Sequence, residues 1–156
     1  MMRRALLFAT AALLLAACGN DDGKPYMAFG GGGFVFNYRV GDIYYGFVAQ
    51  PQRRLPGDAE LVARFEDPAG GPEIEVREPV VSGKVQYMFR TPPLKGVARD
   101  RPYKVSLALV ETATGREIER IAHTFTSTAD PVLMPEGPLV VGPGYTPNPA
   151  LAQPAP

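Results

Sequence analysis

The chain has 156 residues, 46% of them hydrophobic, and its 16 basic and 16 acidic side chains balance. Once Arg3 and Arg4 are set aside with the N-terminal segment, the basic residues fall to 14 against 16 acidic ones, which argues against a nucleic-acid partner. Cys18 is the only cysteine, so no intrachain disulfide can form and one domain must rest on its own apolar core.

Met1 to Arg4 make a short basic start, and Ala5 to Ala17 form an apolar run broken only by Thr10. A membrane-spanning helix needs about 20 residues, so this run of 13 reads as a cleaved secretory signal. At its end, Leu15, Ala16, Ala17 and Cys18 resemble the lipobox of bacterial lipoprotein precursors. The resemblance implies a signal peptide over residues 1–17, cleavage before Cys18, and lipid on its thiol. Two or more acyl chains at about 0.8 kcal/mol per methylene would then hold the protein on a membrane. Gly19 is not the Asp that retains lipoproteins in the inner membrane of enteric bacteria, so the same resemblance implies an outer-membrane anchor and a periplasmic domain.

Residues 18–33 are expected to form a flexible tether, given the Gly, Asp and Asn content and the run Gly30 to Gly33. A phosphate-cradling loop would need Lys and Ser or Thr after the glycines, where Phe34 and Val35 stand.

From Phe34 the periodicity is that of strands. Phe34, Phe36, Tyr38 and Val40 alternate with polar or smaller residues, as do Ile43, Tyr45, Phe47 and Ala49. A two-residue loop at Gly41 and Asp42 would pair Val40 with Ile43, Tyr38 with Tyr45 and Phe36 with Phe47. Leu61, Ala63 and Phe65 predict a third strand, and Ile74 with Val76 a fourth, across a turn at 67–72. Val85, Tyr87 and Phe89 predict a fifth, ending at Pro92 and Pro93. Tyr103, Val105, Leu107 and Leu109 predict a sixth, and a seventh runs from about Arg116 to Ser127. No long helical period exists, although Leu94 to Arg101 has room for a short turn.

Seven half-apolar strands over residues 34–128 predict an all-β, seven-stranded antiparallel sandwich. The pattern Tyr103, Val105, Leu107 resembles the penultimate strand of fibronectin type III domains, within a broader immunoglobulin-like arrangement. Paired cysteines and tryptophan are missing, so the resemblance concerns architecture and implies no function. Residues 129–156 form a proline-rich tail, expected to be extended and disordered at its end, with Leu139, Val140, Val141 and Tyr145 able to fold back on the sandwich.

His123 is the only histidine and shares the parity of Ile121 and Phe125, which suits a structural role. A metal site or a hydrolytic triad would need partners that the sequence lacks. Glu66, Asp67, Glu73, Glu75 and Glu78 read as a solvated face with Arg64 and Arg77 as counter-ions, rather than as catalytic carboxylates or a calcium loop. No residue is assigned to catalysis, a cofactor or a metal. In the register derived above, Arg39 and Tyr44 lie opposite each other beside Val35 and Val48. This is either a patch for a glycan or partner protein, or a packing pair covered by the tail. The resulting expectation is a lipid-anchored, non-enzymatic interaction or structural module of the cell envelope. The alternatives are a carbohydrate-binding module, for peptidoglycan or polysaccharide, and a small envelope enzyme or enzyme subunit.

Overall fold

The computed structural model describes residues 23–151. The expected signal peptide, Cys18 and the last five residues lie outside the described part. Seven strands carry the domain: β1 (Met27–Asn37), β2 (Asp42–Pro51), β3 (Ala59–Phe65), β4 (Ile74–Pro79), β5 (Tyr87–Arg90), β6 (Pro102–Glu111) and β7 (Glu117–Thr126). They form two antiparallel sheets, ordered β1-β2-β5 and β4-β3-β6-β7. This is the strand order of a fibronectin type III sandwich.

The alternation seen in the sequence selects the inner faces. Ile43, Tyr45, Phe47 and Ala49 of β2 are buried against Leu61, Ala63 and Phe65 of β3 and Tyr103, Val105, Leu107 and Leu109 of β6. The centre is aromatic. Tyr45 stacks on Phe34 at 4.6 Å and meets Phe65 edge-on at 5.1 Å, while Phe47 lies 5.3 Å from Phe89. These are favourable ring geometries.

Three buried tyrosines bring hydroxyls into this core, and each hydroxyl reaches backbone. Tyr45 donates to the carbonyl of Glu66 at 2.8 Å, Tyr87 accepts from the amide of Val81 at 2.9 Å, and Tyr103 accepts from the amide of Ala98 at 2.7 Å. The last bond is the tyrosine corner of such sandwiches. The segment before β6 contains no helix. Leu94 and Val97 are buried there as plugs, and the Leu94 amide bonds to the Ile43 carbonyl at 2.7 Å.

Four expectations are corrected. Residues 27–33 belong to β1 and not to a tether, so the glycine run is sheet. A bulge between Phe29 and Gly31 breaks the ladder, and the glycines suit close approach. A Cβ on Gly32 would stand 2.5 Å from the Gly46 carbonyl oxygen and 2.7 Å from both Phe47 Cβ and Phe125 Cζ.

The first hairpin is also registered differently, with Phe36 opposite Ile43, Phe34 opposite Tyr45 and Gly32 opposite Phe47. Its loop is Tyr38 to Gly41. Asn37 accepts from the amides of Val40 and Gly41, and Gly41 turns with φ +72°. The expected and observed registers differ by an even number of residues, so the same parity faces the core. Tyr38 and Val40, however, leave the sheet for the surface.

Val85 likewise falls in the loop before β5, 79% exposed. The tail is not merely extended. It forms a 3-10 turn (Pro131–Leu133), then β8 (Val140–Val141) paired with β9 (Thr146–Pro147), and a second 3-10 turn (Pro149–Leu151). Leu139 donates its amide to the Arg39 carbonyl at 2.8 Å, which docks the tail on the loop between β1 and β2.

Two outcomes follow from the packing. Gly32→Ala should destabilise the domain by about 1–3 kcal/mol through overpacking, read as a lower midpoint in denaturant at unchanged m. Burial, with Glu66 adding to it, pushes the Tyr45 phenol well above its ordinary range. Folded protein then keeps a proton that unfolded chain loses above about pH 10, so stability should fall as pH rises past that point. Tyr45→Phe should flatten that alkaline limb while costing about 1 kcal/mol at neutral pH, both measurable by denaturant titration across pH.

Candidate binding face on the three-stranded sheet

The two sheets present outer faces of different chemistry. On β4-β3-β6-β7 the outward Val62, Ala108 and Val110 are buried, while a recess of about 400 Å³ opens toward the β7 edge among Arg64, Glu73, Lys104, Ser106, Ala122 and Thr124. Val62 and Ala108 are fully buried beneath side chains of the surrounding rows. Arg64 pairs with Glu75 at 3.0 Å, and Arg77 bridges Glu60 at 2.5 Å and Glu75 at 2.7 Å. Arg120 bonds to Glu117 and reaches the Ser106 hydroxyl at 3.3 Å. The hydrogen bond from Arg77 holds the Glu75 carboxyl below its ordinary range, and that from Arg120 does the same for Glu117.

Of the other candidate acids, Glu73 lines an open recess without an ion pair among the described residues, and the rest are engaged. Glu66 accepts from Arg101 and the Lys104 amide, Glu78 from Lys84, and Asp67 from the amides of Ala69 and Gly71 in its own turn. His123 is exposed at the β7 edge, its ring 5.3 Å from Phe29 and 4.8 Å from Phe125. Among the described residues no group of three His, Cys, Asp or Glu side chains is placed to hold a metal.

The face of β1-β2-β5 is open. Three rows cross it: Val35 beside Tyr44, then Gly33, Gly46 and Arg90, then Gly31, Val48 and Met88. The middle row begins with two glycines, which lack side chains, so the sheet backbone itself floors a trough of about 450 Å³. Its sides are mainly apolar. Val35 is exposed, and Met88 is 65% exposed. Arg90 is the one charged residue lining it, and its guanidinium lies over the Tyr44 ring at 4.6 Å. Such a cation–π contact fixes Arg90 along the trough wall.

Arg39 and Tyr44 are not brought together, which corrects the expected pair. The four-residue hairpin loop carries Arg39 off the sheet, where its guanidinium sits 3.7 Å above the Tyr145 ring of the tail. Tyr44 stays on the face, opposite Val35. Gly31, Gly33, Gly46, Met88 and Arg90 escaped the sequence reading. The available signal was Gly46 at the outward parity between Tyr44 and Val48, a small residue where a strand usually carries a side chain.

No helix among the described residues is long and apolar enough to cross a membrane. No protein-family model matches the chain, and no curated protein matches it. Among solved structures, it is similar to a family 76 glycoside hydrolase from a bovine Bacteroides thetaiotaomicron strain, at 12% identity and a TM-score of 0.41. That match covers 64% of this chain and 20% of the hydrolase, so the chain spans about a fifth of that protein's length.

Proposed function

We propose that this protein is a lipid-anchored, non-enzymatic binding module of the cell envelope, which takes a partner protein on the open face of its three-stranded sheet. The observation that carries the reading is the contrast between the two outer faces. One covers its valine and alanine with ion pairs, whereas the other leaves Val35, Val48 and Met88 around an uncovered backbone floor. Exposed apolar surface of this kind, rimmed by a single arginine and a tyrosine, has the composition of an interface core. A glycan would need a free aromatic face, and Arg90 lies over the Tyr44 ring. A partner protein is therefore the better-supported occupant.

Anchoring rests on the lipobox-like Leu15, Ala16, Ala17, Cys18 and on the unpaired cysteine. Outer-membrane sorting with a periplasmic domain rests on Gly19. Absence of catalysis is part of the same reading: Ser106, Thr124 and Glu73 line a recess with His123, but no hydrogen bond joins its ring to any of them among the described residues.

A photo-crosslinking residue at position 88 should trap one recurrent protein in intact cells. Tyr44→Ala should abolish that product while changing stability by only about 0.5 kcal/mol, as surface substitutions usually do. Trapping nothing from position 88, with retention on peptidoglycan that Tyr44→Ala removes, would replace the protein partner by a glycan. Cys18→Ser should leave an unlipidated precursor or a protein released from membranes, seen by mass spectrometry and fractionation. Unchanged mass and membrane association would refute the anchor.

A further inference from the structure

Resting on the lipid-anchor reading, we propose that the pole of the sandwich where β1 begins is a docking surface for anionic phospholipid headgroups. In this antiparallel arrangement the start of β1 shares one pole with the loops at 52–58, 80–86 and 112–116. The first strand is held there firmly. The Glu119 carboxylate accepts from the amides of Tyr26 at 2.9 Å and Met27 at 3.1 Å, and the Gln52 amide bonds to the Tyr26 carbonyl at 2.9 Å.

Eight residue steps separate Cys18 from Tyr26. At roughly 3.5 Å per residue, a lipid on Cys18 keeps this pole within about 28 Å of the bilayer. The opposite pole, with the tail and the β1–β2 loop, is farther by the length of the strands.

The chemistry of the near pole suits that surface. Arg53, Arg54, Lys84, Val81 and Val85 line one recess of about 460 Å³. Val81 is 51% exposed and Val85 79% exposed, on the loop that also carries Lys84. Lys84 is paired with Glu78 at 2.8 Å. Arg53 lies over the Tyr26 ring at 3.5 Å, with its Nε buried and without a hydrogen-bond partner among the described residues. Neither Arg53 nor Arg54 forms an ion pair among those residues. Two arginines free of carboxylates beside two protruding valines match phosphate-bearing headgroups above an apolar layer: the cations meet the phosphates and the valines enter the interface. Docking would stand the strands across the membrane plane and leave the open sheet face pointing sideways.

The test uses the lipidated full chain in phosphatidylcholine vesicles with or without phosphatidylglycerol. A polarity-sensitive dye is placed on Val85→Cys, or on Lys95→Cys at the far pole. A thioether on Cys18 takes no dye, so mass spectrometry should find one label per chain. Two labels would refute the anchor reading without bearing on the pole. With one label, the dye at position 85 should shift to the blue and be quenched by lipid-borne quenchers only when phosphatidylglycerol is present, and the dye at position 95 should report water throughout. Arg54→Gln, which removes a side chain with no partner to lose, should lower the ratio of docked to undocked protein about fivefold, and Arg53→Gln similarly. A water-like signal at position 85, an equal response in neutral vesicles, or an equal response at position 95 would each overturn the proposal.

Discussion

The hydroxyl of Tyr45 sits at the centre of a core that offers it no water, and it reaches across the sandwich to the main chain at the edge of the opposite sheet. It donates to the Glu66 carbonyl at 2.8 Å, while its own strand is tied to β5 by the Thr91 hydroxyl and amide. Phe34, Phe65, Tyr103 and Phe125 pack around the ring. A chain without disulfides has few ways to fix the relative position of two sheets, and a buried donor with one well-placed acceptor is among the most direct. Leaving that donor unpaired costs far more than the bond contributes, so the sheets are held in one alignment. The outer faces inherit their shape from it.

Those outer faces solve the same problem in opposite ways. Val62 and Ala108 are buried among long charged side chains whose carboxylates and guanidinium groups pair with one another, with the Arg64 Nη1 alone of that set left without a partner among the described residues. Each exposed ion pair contributes little to stability, but together they exclude water from the small apolar cluster beneath. On β1-β2-β5 the central positions of β1 and β2 are glycine, and Arg90, the one charged residue lining the trough, lies over the Tyr44 ring. No ion pair among the described residues would have to break for this face to be covered.

Much of this was legible in the sequence, and the failures share a cause. Alternation identified which residues of β2, β3 and β6 face inward, because burial of Tyr45, Phe65 or Tyr103 depends only on parity. Register depends on loop length, and the loop after Asn37 has four residues because Asn37 accepts both closing amides while Gly41 takes a positive φ. Composition alone made Gly30 to Gly33 resemble a linker. Only the tertiary approach of Phe47, Phe125 and the Gly46 carbonyl explains why side chains are excluded there. The trough was hidden for the same reason, since it is defined by atoms that are missing from three different positions in the chain. Arg39 was misplaced with the register, and its partner Tyr145 lies more than a hundred residues away.

The bulge between Phe29 and Gly31 bears on how copies of the protein can meet edge to edge. β1 is an edge strand, and an edge strand of regular spacing offers a neighbour a ready ladder of amides and carbonyls. Here the spacing is interrupted after Phe29, and an incoming strand in register on one side of the bulge is out of register on the other. A ladder between two copies through β1 is thereby interrupted at Phe29 and cannot run the length of the strand. The irregularity at the start of the glycine run is thus also what blunts the free edge of the first strand.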